Sequence, residues 1–242
     1  MSSFEKPITV KEFVPIADRI LFEDNHIIAI NKLPSEIVQG DKTGDSTLGD
    51  AVKEYIKQQY NKPGAVFLGV VHRIDRPVSG VVIFAKTSKA LSRLNELFRS
   101  REVQKTYWAV VKVRPNNDQG HLAHYLKKNE ATNKSKAFDR PTPGALLSEL
   151  DYKVLVQADN YTLLEVNPHT GRHHQIRVQL STMGWPIKGD LKYGFNRSNP
   201  DASIHLHARK VKFIHPVKGE PMEVIAPPPN EPLWNYFLTK SS

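Results

Sequence analysis

Two segments of this chain concentrate residues whose types and spacing could do chemistry. "VHRIDRPVSG", residues 71–80, sets one carboxylate, Asp75, between Arg73 and Arg76. Nearby cations favour the ionised form of a carboxylate. Such a group can act as a nucleophile or stabilise a cation at a sugar carbon. Arg73 and Asp75 are two apart, so an extended backbone turns them to the same side. The alternative is an exposed ion pair worth at most about 1 kcal/mol, and on this segment alone that alternative is the stronger one. "NPHTGRHHQIRVQL", residues 167–180, gathers Arg172, Arg177 and three histidines around a glycine and a helix start. Free backbone N–H groups and cations converge in such a place, which suits an anion. A metal is not expected there. His173 and His174, adjacent on a helix, would point about 100° apart, no nearby carboxylate completes a set with His169, and the arginines repel a cation.

Two further stretches carry weaker signals. "KTYWAVV" puts Tyr107 and Trp108 beside Lys105, a stacking platform for nucleic-acid bases. Strand alternation nevertheless turns one of the two rings to the core. "IHLHARKVKFIHP", residues 204–216, reads either as a solvated strand face or as a phosphate-contacting surface.

The elements that must position these residues are legible in outline. "RILFEDNHIIAINKLPSE" reads as a hairpin turning at "EDNH". "STLGDAVKEYIKQQY" reads as a helix capped by Ser46 or Thr47, with Leu48, Ala51, Val52 and Ile56 at helical spacing. "GVVHRID" is a strand running into a loop, and "SGVVIFAKT" is a fully apolar strand. "SKALSRLNELFRSREV" is an amphipathic helix capped by Ser88, with Leu91, Leu94, Leu97 and Phe98 on one face. "QKTYWAVVKV" is a strand, and residues 114–148 read as short strands and loops. "LDYKVLVQADNYTLLEVNP" is a second hairpin. "HHQIRVQLSTMG" is a helix ending at Gly184, with Ile176, Leu180 and Met183 at i, i+4 and i+7. Hairpins without a regular βαβ rhythm predict an α+β fold, a mixed and mostly antiparallel sheet with flanking helices. Residues 1–18 read as an N-terminal arm and 19–242 as one domain.

Composition narrows the function classes. The 242 residues carry a formal net charge of +9 and include no cysteine. A basic balance favours polyanions, RNA and DNA first. The absence of cysteine excludes disulfides, thiolate metal sites and cysteine catalysis. No stretch approaches the roughly 20 apolar residues of a membrane span, and the N-terminus shows no secretory pattern. The expected setting is the cytoplasm, away from membranes.

Taken in order, these segments resemble the RluA-type RNA pseudouridine synthases. "HRIDRPVSG" is similar to that family's His-Arg-Leu-Asp-Arg-x-Thr-Ser-Gly signature, with Ile74 for Leu and Val78 for Thr. "VQKTYWAVV" is similar to its Lys-x-Tyr block. "TGRHHQIRVQL" is similar to its Gly-Arg-x-His-Gln-Ile-Arg-Val-His block, with Gln179 in place of the last His. "ILFEDNHIIAINKLPSEIV", "PIKGDLKYG" and "LHARKVKFIHPVKGEPMEVIAPPP" extend the likeness over roughly residues 20–228. The resemblance implies the pseudouridine synthase fold and isomerisation of uridine in rRNA or tRNA without a cofactor. It makes Asp75 the catalytic aspartate, Tyr107 the ring that stacks on the uracil, and Arg177 the cation paired with the aspartate. Arg73 matches the arginine that fills the gap left by a flipped uridine, with Arg76, Arg172 and His174 as further RNA contacts. The family's frequent N-terminal S4 module is not expected in so short an arm.

Two rivals remain at this level. One is an RNA-binding module in which Asp75 is structural. The other is a glycoside or nucleoside hydrolase, which mostly needs two catalytic carboxylates.

Overall fold

The structure, a computed structural model, describes residues 14–40 and 44–241. Its strands are β1 (Ile20–Glu23), β2 (Ile27–Lys32), β3 (Gly69–Val70), β4 (Ser79–Ala85), β5 (Gln104–Val111), β6 (Gln119–Asn129), β7 (Lys134–Phe138), β8 (Leu146–Gln157), β9 (Thr162–Pro168), β10 (Leu206–Ile214) and β11 (Pro221–Ile225). Its α-helices are α1 (Leu48–Gln59), α2 (Ser88–Arg99), α3 (Gln175–Thr182) and α4 (Pro232–Lys240). The strands form one sheet in the order β1-β2-β4-β10-β5-β9-β8-β6-β7, with β11 on β10 and β3 on β4. Only β4 and β10 run parallel; the other pairings are antiparallel. This is the expected α+β architecture.

Apolar residues on both sides of β4 require cover on both faces of the sheet. Val82 and Phe84 pack with Val52 and Ile56 of α1 and with Ile176 and Leu180 of α3. Val81, Ile83 and Ala85 pack on the other face with Ala90 and Leu94 of α2. The same alternation sorts the aromatic pair of β5. Tyr107 joins the α1–α3 face, and Trp108 packs with Trp234 and Phe237 of α4. One ring therefore faces the core beneath α4, as strand alternation demands, and the other is released to the face that carries α3.

Local chemistry sets the element ends. Thr47 caps α1 in a reciprocal capping box with Asp50, worth about 1 kcal/mol. The cap of α2 is Thr87, whose hydroxyl accepts from the Ala90 N–H, and Ser88 becomes the first helical residue instead. At the end of α3, Gly184 takes φ +79°, and the N–H groups of Gly184 and Trp185 return to the carbonyls of Ser181 and Leu180. That pattern is a Schellman stop. Gly80 answers a different demand, because a Cβ there would lie 2.3 Å from the carbonyl oxygen of Ala208. Close contact between β4 and β10 leaves no room for a side chain.

Three expectations need correction. The stretch 114–148 holds the 11-residue strand β6 rather than only short pieces. Ile16 is buried in the core, so the described end of the expected arm, residues 14–18, packs on the fold; residues 1–13 lie outside the described residues. His205, His207 and His215 are buried rather than displayed for phosphate. The described residues include no helix long and apolar enough to cross a membrane.

Candidate active site

Asp75 sits on the loop between β3 and β4, and a buried lysine shapes that loop. Lys32, at the end of β2, is fully buried, and its ammonium donates to the carbonyls of Leu33, Arg76 and Val78 at 2.9, 3.1 and 2.7 Å. A cation removed from water requires such acceptors. The Val78 N–H closes a turn onto the Asp75 carbonyl at 3.0 Å, and the Ile204 N–H holds the Pro77 carbonyl at 3.1 Å. Ile74 and Val78, where the chain departs from the family signature, are both buried apolar side chains.

Arg177 comes to Asp75 from the first turn of α3. It is 5% exposed and shared between two carboxylates. Its Nη1 donates to Asp75 Oδ2 at 3.0 Å, while Nε and Nη2 grip Asp190 at 2.7 and 2.9 Å. Burial opposes the guanidinium charge, but the bonds to Asp190 and the charge of Asp75 outweigh it and hold Arg177 more firmly protonated than usual. Asp190 is 1% exposed and lies in the turn after Gly189. Sequence reasoning did not single it out; its only signal was its place in "PIKGDLKYG".

His174 is not on the helix, as expected, but caps it in a left-handed conformation at φ 54°. That twist stacks its ring on His173 at 3.7 Å instead of splaying the two apart. The Tyr193 hydroxyl accepts from the Ser135 N–H and contacts His174 Nδ1, each at 2.8 Å. The other ring nitrogen, Nε2, lies 3.6 Å from Asp75 Oδ2. Burial, only partly offset by the charge of Asp75, lowers His174 to about 3. At neutral pH it is an uncharged second neighbour of Asp75.

Around Asp75 opens a cleft of about 510 Å³, within the range of small-ligand sites. Ile74, Val78, Leu206 and Tyr107 give it apolar walls, and Arg73, Lys105 and Arg172 give it cations. The Tyr107 hydroxyl is pushed above its usual range by burial and then by the charge of Asp75, so it carries its proton at neutral pH. Arg73 is exposed on the cleft wall. The Nε of Arg172 is buried and finds no hydrogen-bond partner among the described residues. Arg76 does not reach this constellation. It pairs with Asp45 at 3.0 Å and donates to the Ser35 carbonyl at 3.2 Å, away from Asp75. The structure thus joins Asp75, Tyr107, Arg177, Arg73, Arg172 and His174 in one cleft and leaves Arg76 outside it.

An apolar slot with one ion-paired carboxylate, ringed by cations, is suited to an anionic polymer that inserts a flat base. The chain belongs to the RNA pseudouridylate synthase family, whose model matches residues 26–182. It is 36% identical over 218 residues to a ribosomal large subunit pseudouridine synthase C of Vibrio vulnificus, covering 88% of this chain and 66% of that protein. It is 35% identical over 226 residues to the protein of the same name from Escherichia coli strain K12, covering 90% of this chain and 69% of that one. The chain thus spans about two thirds of the length of these curated relatives. Among solved structures, human RNA pseudouridylate synthase domain containing 4 aligns with a TM-score of 0.76 at 25% identity, covering 93% of this chain and 94% of that one. Human RNA pseudouridylate synthase domain containing 1 shares the fold, with a TM-score of 0.71 at 24% identity over 89% of this chain and 85% of that one.

Proposed function

We propose that this chain isomerises uridine to pseudouridine in ribosomal RNA, with Asp75 as the catalytic carboxylate and residues 19–242 as one catalytic domain acting in the cytoplasm. The observation that carries the reading is the pairing of Asp75 with buried Arg177 inside a cation-ringed apolar cleft. Uracil must leave C1′ of its ribose, turn over and rejoin through C5. Cleavage and rejoining exchange no electrons overall, so the reaction needs no redox cofactor. An ionised Asp75 can add to the sugar, add to the ring, or take the proton from C2′; each route starts from the same charged oxygen. The base must be out of its helix to reach that oxygen, at a cost of a few kcal/mol. Arg73 stands at the wall where the gap would be filled, and Tyr107 is the wall on which the freed uracil stacks. Arg172 and the net charge of +9 hold the phosphate backbone. The relatives' printed names favour large-subunit ribosomal RNA over transfer RNA.

The test compares wild type with Asp75→Asn on ribosomal and transfer RNA transcripts, mapping pseudouridine by sequencing and measuring free uracil. Wild type should form pseudouridine in ribosomal RNA and release no uracil. Asp75→Asn should fold and bind RNA within a few-fold of wild type while turnover falls by roughly 10⁴–10⁶-fold, the scale for removing one member of a catalytic set. Free uracil as product would identify a hydrolase. Near-normal turnover by the Asn variant would reduce Asp75 to an ion-paired turn residue.

A further inference from the structure

The face of the sheet turned away from α3 carries a second cluster that the uridine chemistry does not use. His121 of β6 lies opposite Asp151 of β8, and Asp151 lies opposite Asn167 of β9. His169 stands two residues beyond Asn167. Three adjacent strands therefore bring two imidazoles and a carboxylate together from distant parts of the sequence. His121 Nδ1 meets one oxygen of Asp151 at 2.7 Å, and His169 Nε2 meets the other at 2.7 Å. The donor atoms of all three residues lie within 4.8 Å of one another. The rings are 6.0 Å apart and tilted by 35°, so they converge on the carboxylate without stacking. Glu149 stands on the other side of the His121 ring, its Oε1 3.7 Å from Nε2.

The charge around the cluster is an independent observation. On a protein with net charge +9, Glu149, Asp151 and Glu165 project from this face with Lys153 paired opposite Glu165. The patch attracts cations and repels phosphate. His169 also lines the cleft, so the patch borders the path proposed for RNA.

We propose that His121, Asp151 and His169 form a site for a divalent transition-metal ion of the zinc class. Imidazole with carboxylate selects such ions over magnesium and calcium, which prefer all-oxygen cages. Bonds of about 2.0–2.1 Å in a tetrahedron separate ligand atoms by about 3.3 Å. The two short contacts open by about half an ångström and the two imidazole nitrogens, within 4.8 Å of each other, close toward that separation, and the residues are exposed enough to move. A bound dication neutralises the local carboxylates at the cleft rim. The expectation from sequence that His169 has no carboxylate partner fails because Asp151 and His121 reach it through sheet pairing alone.

The test is calorimetric titration of zinc chloride into protein stripped with EDTA and desalted, in the absence of RNA, with cobalt substitution followed by visible absorption. One equivalent should bind saturably, and cobalt should give the d–d bands of a low-symmetry nitrogen–oxygen site. His121→Ala and His169→Ala should each weaken binding by more than the roughly 10–100-fold lost with an outer-sphere partner, whereas Glu165→Gln should bind as wild type does. Absence of saturable binding, or binding by both histidine variants as tight as by wild type, would overturn the site and leave the cluster a hydrogen-bonded surface triad. Either result is independent of whether the protein modifies uridine.

Discussion

Two groups of carboxylates border the cleft, and they are built in opposite ways. Asp75 and Asp190 share Arg177, with Asp190 at 1% and Arg177 at 5% exposure. Asp151 stands between His121 and His169 with side chains about half exposed. In the first group the permanent charge of arginine is matched by two anions, and every polar atom of the guanidinium has a fixed direction. Burial there makes rearrangement expensive, which suits a carboxylate that must stay charged at one position. In the second group the same kinds of contact are bathed in water, where they are weak and easily exchanged. That suits a site that takes up and releases a ligand. Burial, more than residue type, separates a fixed ion-paired group from an adaptable surface cluster.

Arg177→Met breaks this contrast most severely. It strands Asp190 in the interior and removes the partner of Asp75. Unfolding by denaturant should show a loss of about 3–5 kcal/mol, the scale for breaking a buried pair. Adding Asp190→Asn should recover part of that loss. A stability change below about 1 kcal/mol would mean that the buried network is not the constraint described here.

Acid probes the buried side through its histidines. His174 is lowered to about 3 and His207 to about 4, in both cases chiefly by burial, from an ordinary value of 6.5. Below 6.5 the unfolded chain takes up protons that the folded chain refuses. The stability these neutral rings contribute is therefore present above about 6.5 and is lost as pH falls toward 4 and 3. Between pH 6.5 and 5 each should cost on the order of 1–2 kcal/mol. His207 is held by Ser79 Oγ at 2.9 Å and the Ala226 carbonyl at 3.0 Å, so His207→Gln should flatten the pH dependence of thermal unfolding in this range. An unchanged slope would assign the acid sensitivity elsewhere.

The smallest effect should come from the exposed group. Asp151→Asn should change stability by no more than about 1 kcal/mol at neutral pH without added metal, measured by the same denaturant unfolding as Arg177→Met. A loss approaching that of Arg177→Met would show that exposure is a poor guide to how firmly this cluster is fixed.

The sequence by itself determined the elements whose signals are local. Both expected hairpins, the apolar β4, the amphipathic α2 and the stop at Gly184 follow from periodicity and end residues that need no distant partner. The segment around Asp75 was readable because its family signature is contiguous. β6 escaped because "GHLAHYLKKN" puts His124 where an apolar residue would complete the alternation of Leu122 and Leu126. His124 is buried there because its Nδ1 meets Gln179 of α3 at 3.2 Å, a partner 55 residues away. Tertiary structure alone turned Arg76 toward Asp45, twisted His174 into a cap, and brought Asp190 under Arg177. It also brought His121, Asp151 and His169 together across three strands. A side chain's periodicity is fixed by its neighbours in the chain, but its charge partner is chosen by whichever backbone packs within about 3 Å, and that choice exists only after the sheet has formed.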